Sequence, residues 1–246
     1  MVDLPLRINV QTIMKTNFPA DGDFRNPPRP SHSLKGRVAI VTGAGSRANG
    51  IGNGRAASIL LAEAGAFVVC VDLNQEWAER TVELIHQEFG EGKRPTAISL
   101  QADVTKAEQC RNIVQHTLNV YGRVDILVNN VGVSGPLGTA IDVDPALWAQ
   151  GLEVNVTSMM LMAKYVVPVM ERNDPHPISG RGSIINMGSV AGLMGGPSVL
   201  LYPTSKGAVV NMTRAMAVHH AKSLIRVNCV CPGTLEPQQF QSIDMR

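Results

Sequence analysis

With 246 residues, 44% of them hydrophobic, the chain can build one α/β domain with a substantial core, which excludes a disordered or fibrous protein. Its 22 Lys and Arg against 20 Asp and Glu leave a formal charge of +2, too weak a basic field to recruit nucleic acid or an anionic membrane, and aromatics at 4% leave little for base stacking. The most apolar segment, SMMLMAKYVVPVM, carries Lys164 and is shorter than the roughly 18 residues a spanning helix needs. The first residues, MVDLPLRINV, lack the apolar run and cleavage site of a secretory signal. Cys70, Cys110, Cys229 and Cys231 show no CxxC spacing and sit in apolar or helical patterns, as reduced, buried thiols do. A cytoplasmic protein without membrane contact is expected.

Residues 1–35 show no sustained periodicity and end in the proline-rich DGDFRNPPRPSHS, which reads as an extended arm preceding a single domain over residues 36–246. From Leu34 onward, β-branched runs alternate with helical patterns. VAIV begins at 38, FVVCVD at 67, AISLQ at 97, DILVNN at 125, GSIINM at 182 and IRVNCV at 225. Between them, NQEWAERTVELIHQEFG and TKAEQCRNIVQHTLNVYG place apolar residues three or four apart with charges between. The alternation predicts βαβ units and a doubly wound, mainly parallel sheet with helices on both faces, a Rossmann-like architecture.

The first strand runs into GAGSRANGIGNG, residues 43–54, just before the helical RAASILLAEAGA. Glycines between a strand and a helix N-terminus suit a phosphate, because orphan N–H groups and the positive end of the helix dipole point at it. Gly43 and Gly45 fit the turn, and Gly50 and Gly52 fit close approach of a pyrophosphate. An ordinary glycine-rich turn is the alternative. Asp72, at the end of the next strand and twenty residues past Gly52, counts against that alternative, since a carboxylate there accepts from a ribose diol and repels a 2′-phosphate. NAD is expected ahead of NADP. Arg47 is either a partner for a 2′-phosphate or a solvated loop side chain.

Tyr202 and Lys206 lie four apart and share a face if helical. A phenol of ordinary pKa near 10 becomes a useful acid–base group at neutral pH beside an ammonium ion. Ser189 follows an apolar strand, at the end where open parallel sheets bind ligands, and its hydroxyl suits a carbonyl or alcohol oxygen. Cys229 and Cys231 alternate on a strand, share a face and are expected in the core rather than as ligands. His219 and His220 are expected on the surface at a helix C-terminus. No metal site is indicated.

Together TGAGSRANGIG, NNVG at 129–132, YPTSK at 202–206 and RVNCVCPG at 226–233 resemble the classical short-chain dehydrogenases/reductases, over roughly residues 36–233. The resemblance implies a nicotinamide cofactor and hydride exchange between a secondary alcohol and a ketone. It implies that Asn155, Ser189, Tyr202 and Lys206 carry the reaction, with Asn155 holding a water in a relay to Lys206. It implies that Gly43, Gly45, Gly50, Ile51, Gly52 and Asp72 hold the cofactor, with Asp103 near adenine, Asn130 and Gly132 at the ribose and strand end, and Pro232 and Gly233 beside the nicotinamide, joined by Tyr202 and Lys206. It also implies a homodimer formed through the long helices. The chain departs from the pattern twice. Six residues separate Gly43 from Gly50 where the family has three, and TLEPQQFQSIDMR after Gly233 shows neither a strand run nor helical periodicity, so the last sheet strand and the substrate lid are expected to be missing. A nucleotide-binding but catalytically poor protein is therefore the alternative function.

Overall fold

The computed structural model describes residues 32–47, 50–90, 94–195 and 199–233. The expected arm over residues 1–35 falls almost wholly outside the described residues, as does the segment after Gly233. Six strands form one sheet: β1 (Val38–Thr42), β2 (Phe67–Asp72), β3 (Ala97–Gln101), β4 (Ile126–Asn129), β5 (Gly182–Met187) and β6 (Ile225–Val230). The order is β3-β2-β1-β4-β5-β6 and every pairing is parallel. β1 is buried at all five positions, which is why it reads as an unbroken apolar run rather than as alternation.

Helices α1 (Asn53–Glu63) and α2 (Gln75–Phe89) accompany one face, where Ala39, Val41, Val68, Cys70, Ile126 and Val128 pack together. The other face carries Val38, Ile40, Val69, Val71, Leu127 and Ile184 under α3 (Ala107–Tyr121), α5 (Ser158–Met170) and α6 (Leu201–His220). Local signals start and stop these helices. Asn74 caps α2 by accepting from the Trp77 N–H, and Gly90 and Gly122, at φ 73° and 80°, end α2 and α3. α4 (Pro145–Leu152) begins with Asp144 accepting from the Ala146 and Leu147 N–H groups and with proline in its first turn.

Helices lie on both faces of the sheet, as expected, and the second face is less fully covered at β5–β6. There Ile184, Asn186, Ile225 and Val227 are buried, while Arg226, Asn228 and Val230 are exposed and Ser183, Ile185 and Met187 are half-buried. On that second face Ile185 packs against the cluster that holds Ala62 of α1 and Ile85 of α2. Strand order reverses between β1 and β4, so a crevice opens at the carboxyl ends of these strands, the place where open α/β sheets take their ligands.

Candidate active site

A cleft of about 340 Å³ lies at this crevice, lined by Asn130, Gly132, Ser189, Tyr202, Lys206 and Pro232 among others. Tyr202 and Lys206 occupy the first turns of α6, where their spacing puts both on the cleft side. Lys206 is 3% exposed, its Nζ donates to the Met187 carbonyl at 2.7 Å, and it stands 5.7 Å from the Tyr202 ring centroid. Burial pulls the Lys206 ammonium down to about 8, with Cys229 and Cys231 opposing the change. The Tyr202 hydroxyl makes no hydrogen bond among the described residues, whereas Ser189, buried at the end of β5, accepts from the Ala191 N–H at 3.1 Å and keeps its own proton to donate.

Asn155 reaches the same place by an irregularity. Between α4 and α5 the chain makes one π-helical turn, Glu153–Thr157, a local widening that is frequent at functional sites. Its fully buried side chain is clamped: Oδ1 accepts from Val133 N–H at 2.7 Å, and Nδ2 donates to the Val133 carbonyl at 2.8 Å and to Ser205 Oγ at 2.9 Å. Gly132 separates the amide from the ammonium, since a Cβ there would lie 3.2 Å from Lys206 Nζ and 3.5 Å from Asn155 Oδ1. Of the four residues singled out from the sequence, Ser189, Tyr202 and Lys206 line the cleft and Asn155 lies buried behind Gly132.

The glycine loop occupies the adjoining edge. Gly43 takes φ 62°, a left-handed conformation costly for other residues. The Gly45 N–H donates to Asp72 Oδ2 at 2.9 Å, and the Asn74 N–H donates to Oδ1 at 3.0 Å, so the carboxylate is oriented beside the loop with lone pairs to spare. Asn130 ties the loop to β4 by donating from Nδ2 to the Gly43 carbonyl at 2.9 Å. At Gly50 and Gly52 a Cβ would meet only ordinary contacts, 3.4 Å or more, and no side chain caps the start of α1. The protein's own packing does not require glycine at these two positions, which fits a loop kept bare for a phosphate group. Asp103, just past β3, accepts from Thr105 N–H and Oγ1, and Pro232 follows β6 with its carbonyl accepting from Val190 N–H at 3.0 Å. Ile51 is exposed, at 63%, beside the loop. Gly233 joins the cleft lining. Arg47 lies with its guanidinium 6.0 Å from the Trp77 ring centroid.

Several residues that hold this site have no counterpart in the sequence reading. Arg55, 1% exposed, donates to the carbonyls of Gly50 at 2.7 Å and Ser46 at 3.3 Å and to Thr81 Oγ1 at 3.1 Å, and so supports the lengthened loop from inside. Burial lowers the pKa of its guanidinium. A Cβ on Gly54 would overlap the Gly43 carbonyl oxygen, so the glycine of the quoted loop that went without a role is the one that lets α1 approach β1. Under the cleft, Asn129 donates to Asn186 Oδ1 at 2.9 Å and Asn186 donates to Thr213 Oγ1 at 3.0 Å. The signal for this chain of polar groups was an asparagine in each of two apolar strands, at positions that prove to be register partners.

One expectation fails. Cys229 and Cys231 do share a face, with sulfurs 3.7 Å apart, but both are half-buried, lying over Gly188 at the edge of the cleft lining rather than in the core. Cys70 and Cys110 are fully buried as expected. His219 is exposed and His220 half-buried at the end of α6. Among the described residues no three His, Cys, Asp or Glu side chains gather as a metal set, and no helix is long and apolar enough to cross a membrane.

This fold defines an open parallel α/β protein with a cleft at the carboxyl ends of its strands, and comparison with known proteins narrows it. The family described as short chain dehydrogenase matches residues 37–245. The chain is 39% identical to an uncharacterised oxidoreductase of Thermotoga maritima, over 84% of this chain and 74% of that protein. It is 37% identical to 2-(S)-hydroxypropyl-CoM dehydrogenase 3 of Xanthobacter autotrophicus, over 83% and 74%. A crystal structure of NAD+-bound xylitol dehydrogenase superposes with a TM-score of 0.72 at 33% identity, covering 82% of this chain and 72% of that one. The chain belongs to the short-chain dehydrogenase family of oxidoreductases.

Proposed function

We propose that the protein interconverts a secondary alcohol and a ketone with NAD(H). The observation that carries this reading is the buried Lys206 ammonium beside the ring of Tyr202, whose hydroxyl has no partner among the described residues, both lining the cleft with Ser189. The alcohols in the names of two similar proteins, 2-(S)-hydroxypropyl-CoM and xylitol, support an alcohol–ketone pair. Bound in the crevice, the nicotinamide supplies the hydride acceptor for an alcohol or the donor for a ketone.

The chain's residues have separable tasks. Ser189 donates a hydrogen bond from its hydroxyl to the substrate oxygen, keeping its own proton, and fixes the position of that oxygen. Tyr202 takes the proton from the alcohol at its own oxygen, or returns it to the ketone. Lys206, cationic below about pH 8, stabilises the phenolate that accepts the alcohol's proton and that forms again when the proton goes to the ketone. Asn155 acts from behind, holding a water that passes the proton on toward Lys206. The loop from Gly43 to Gly52 cradles the pyrophosphate, and Asp72 accepts from the adenosine ribose hydroxyls. Asp103, Asn130 and Gly132 border the adenosine half, with Pro232 and Gly233 at the nicotinamide. Leu193 and Met194, 61% and 66% exposed after the short helical turn that follows Ser189, favour an apolar substrate. A homodimer through α5 and α6 and a cytoplasmic location complete the proposal.

The test is a turnover screen of cyclic and aliphatic ketones with NADH, followed by Tyr202→Phe. A positioned acid–base group contributes roughly 10² to 10⁴-fold in rate, so the variant should lose that much while binding NADH as the parent does. Retained turnover overturns the mechanism. A parent that binds NADH yet reduces nothing supports the catalytically poor alternative. NADPH binding equal to or tighter than NADH overturns the role of Asp72 and transfers cofactor choice to Arg47.

A further inference from the structure

Beside the proposed reaction groups lie two thiols that the chemistry leaves unused. Cys229 sits near the end of β6 and Cys231 just beyond it, and both sulfurs nest over Gly188, where a Cβ would lie 2.7 Å from one and 2.9 Å from the other. The missing side chain at Gly188 is what allows the two sulfurs to approach to 3.7 Å. Hydrogen bonds pin the backbone around them. The Gly188 N–H donates to the Val230 carbonyl at 2.8 Å, and the Val190 N–H donates to the Pro232 carbonyl at 3.0 Å. The dithiol is thus wedged between the strand end that carries Ser189 and the Pro232 rim of the cleft. Both thiols are half-buried, in contrast to Cys70 and Cys110, whose thiols burial pushes up to about 12 and about 11.

We propose that Cys229 and Cys231 form a modification site that takes a small-molecule disulfide as oxidant and closes to an intramolecular disulfide. Two residues of extended chain span roughly 6.6 Å, at the upper end of the Cα separations of roughly 4.4–6.8 Å that a disulfide tolerates. Closure therefore needs only a small backbone movement and yields a bond that thiols reopen readily. Burial pushes the Cys229 thiol up and makes it the slower nucleophile, so Cys231 attacks first. Cys231 sulfur displaces one thiolate from the oxidant, leaving a mixed disulfide, and Cys229 sulfur then displaces the second. Two protein thiols are oxidised to one disulfide, the oxidant is reduced to two thiols, and the two thiol protons leave with them.

Closure draws Cys231 toward β6 and carries Pro232 with it. On the reading that Pro232 borders the nicotinamide, which belongs to the proposed function, the oxidised protein binds NADH roughly five- to tenfold more weakly, the worth of about one hydrogen bond.

The experiment treats the full chain with oxidised glutathione and reads intact mass and thiol count by aromatic-disulfide titration. Before treatment two of the four cysteines should react fast. Afterwards the mass should fall by two hydrogens, the fast thiols should disappear, and peptide mapping should join Cys229 to Cys231. Cys229→Ser should stop at a stable glutathione adduct on Cys231. No fast thiols, or an adduct on Cys70 or Cys110 in place of the closed pair, overturns the site. NADH affinity unchanged by a confirmed disulfide overturns its coupling to the cleft. Failure of the reduced protein to bind NADH defeats the cofactor reading instead and leaves the mass and thiol results to decide the dithiol.

Discussion

The two ends of the sheet treat their polar groups in opposite ways. At the amino ends of the strands, Asp125, 3% exposed, accepts from the Val38 N–H at 3.0 Å, from Arg37 at 2.8 Å and from two nitrogens of Arg123 at 2.8 and 2.7 Å. Asn173 closes the same region by donating to the carbonyls of Val124 and Arg181 at 2.8 and 2.9 Å. A cleft of about 150 Å³ exists there too, lined in part by Arg37, Asp125, Arg181 and Arg226. At the carboxyl ends the Tyr202 hydroxyl has no partner among the described residues, Ser189 has a proton to give, and the ammonium of Lys206 has a single backbone carbonyl. Concavity alone does not separate the two. What separates them is that one end spends its hydrogen-bonding capacity on itself and the other leaves part of it unspent among the described residues.

The sharpest way to break this contrast is Asp125→Ala. Removing one partner of a buried, hydrogen-bonded ion cluster costs about 3–5 kcal/mol, and at roughly 2–4 °C per kcal/mol for a domain of this size the melting temperature should fall by about 6–20 °C. NADH affinity of the fraction that remains folded should not change. A loss under ~1 kcal/mol by urea unfolding would reduce the cluster to a surface ion pair and remove the distinction between the two ends.

Lys206→Met probes the opposite end, through pH. In the folded protein the ammonium titrates near 8 because burial penalises the charge, and in the unfolded chain it titrates near 10.5. Between these values the unfolded chain holds the proton and the folded protein has released it, so stability rises with pH across that window. Below about pH 8 the folded protein carries the full penalty. The parent should therefore gain on Lys206→Met by up to ~3 kcal/mol as pH goes from 8 to 10.5, read as the difference between urea midpoints. A flat difference would mean that Lys206 is solvated, and that it could not act on Tyr202 through a dry contact.

How much of this was readable from the sequence depends on whether the determining interaction is local. All six strands were legible, because burial on both faces turns β1 and β2 into unbroken apolar runs, and even β5 and β6 kept enough β-branched residues. The Tyr202–Lys206 pair was legible because a helix fixes the i, i+4 relation. The π turn was not, because GLEVNVTSMM reads as an ordinary helix and its widening depends on Asn155 clamping Val133, twenty-two residues away. Arg55 was illegible for a similar reason. An arginine in a helix is by default exposed, and only the fold shows loop carbonyls arriving to receive it. Cys229 and Cys231 show the limit of alternation: period two tells that they share a face, but not whether anything covers it.

Asn74 offers the smallest and most discriminating change, because one residue at the ligand end performs two tasks with different atoms. Its side chain caps α2 by accepting from the Trp77 N–H at 3.0 Å, while its backbone N–H donates to Asp72 Oδ1 at 3.0 Å. Asn74→Ala deletes the cap and keeps the backbone donor. Loss of an N-cap costs about 1 kcal/mol, so the midpoint of unfolding should shift by that amount. On the proposed role of Asp72, the preference between NADH and NADPH should stay as in the parent, because Asp72 keeps both of its donors. If instead the preference collapses while stability barely moves, the orientation of Asp72 depends on the start of α2 as a unit. The ligand end would then be as internally committed as the Asp125 end, with its binding groups held in place by the same hydrogen bonds that build the fold.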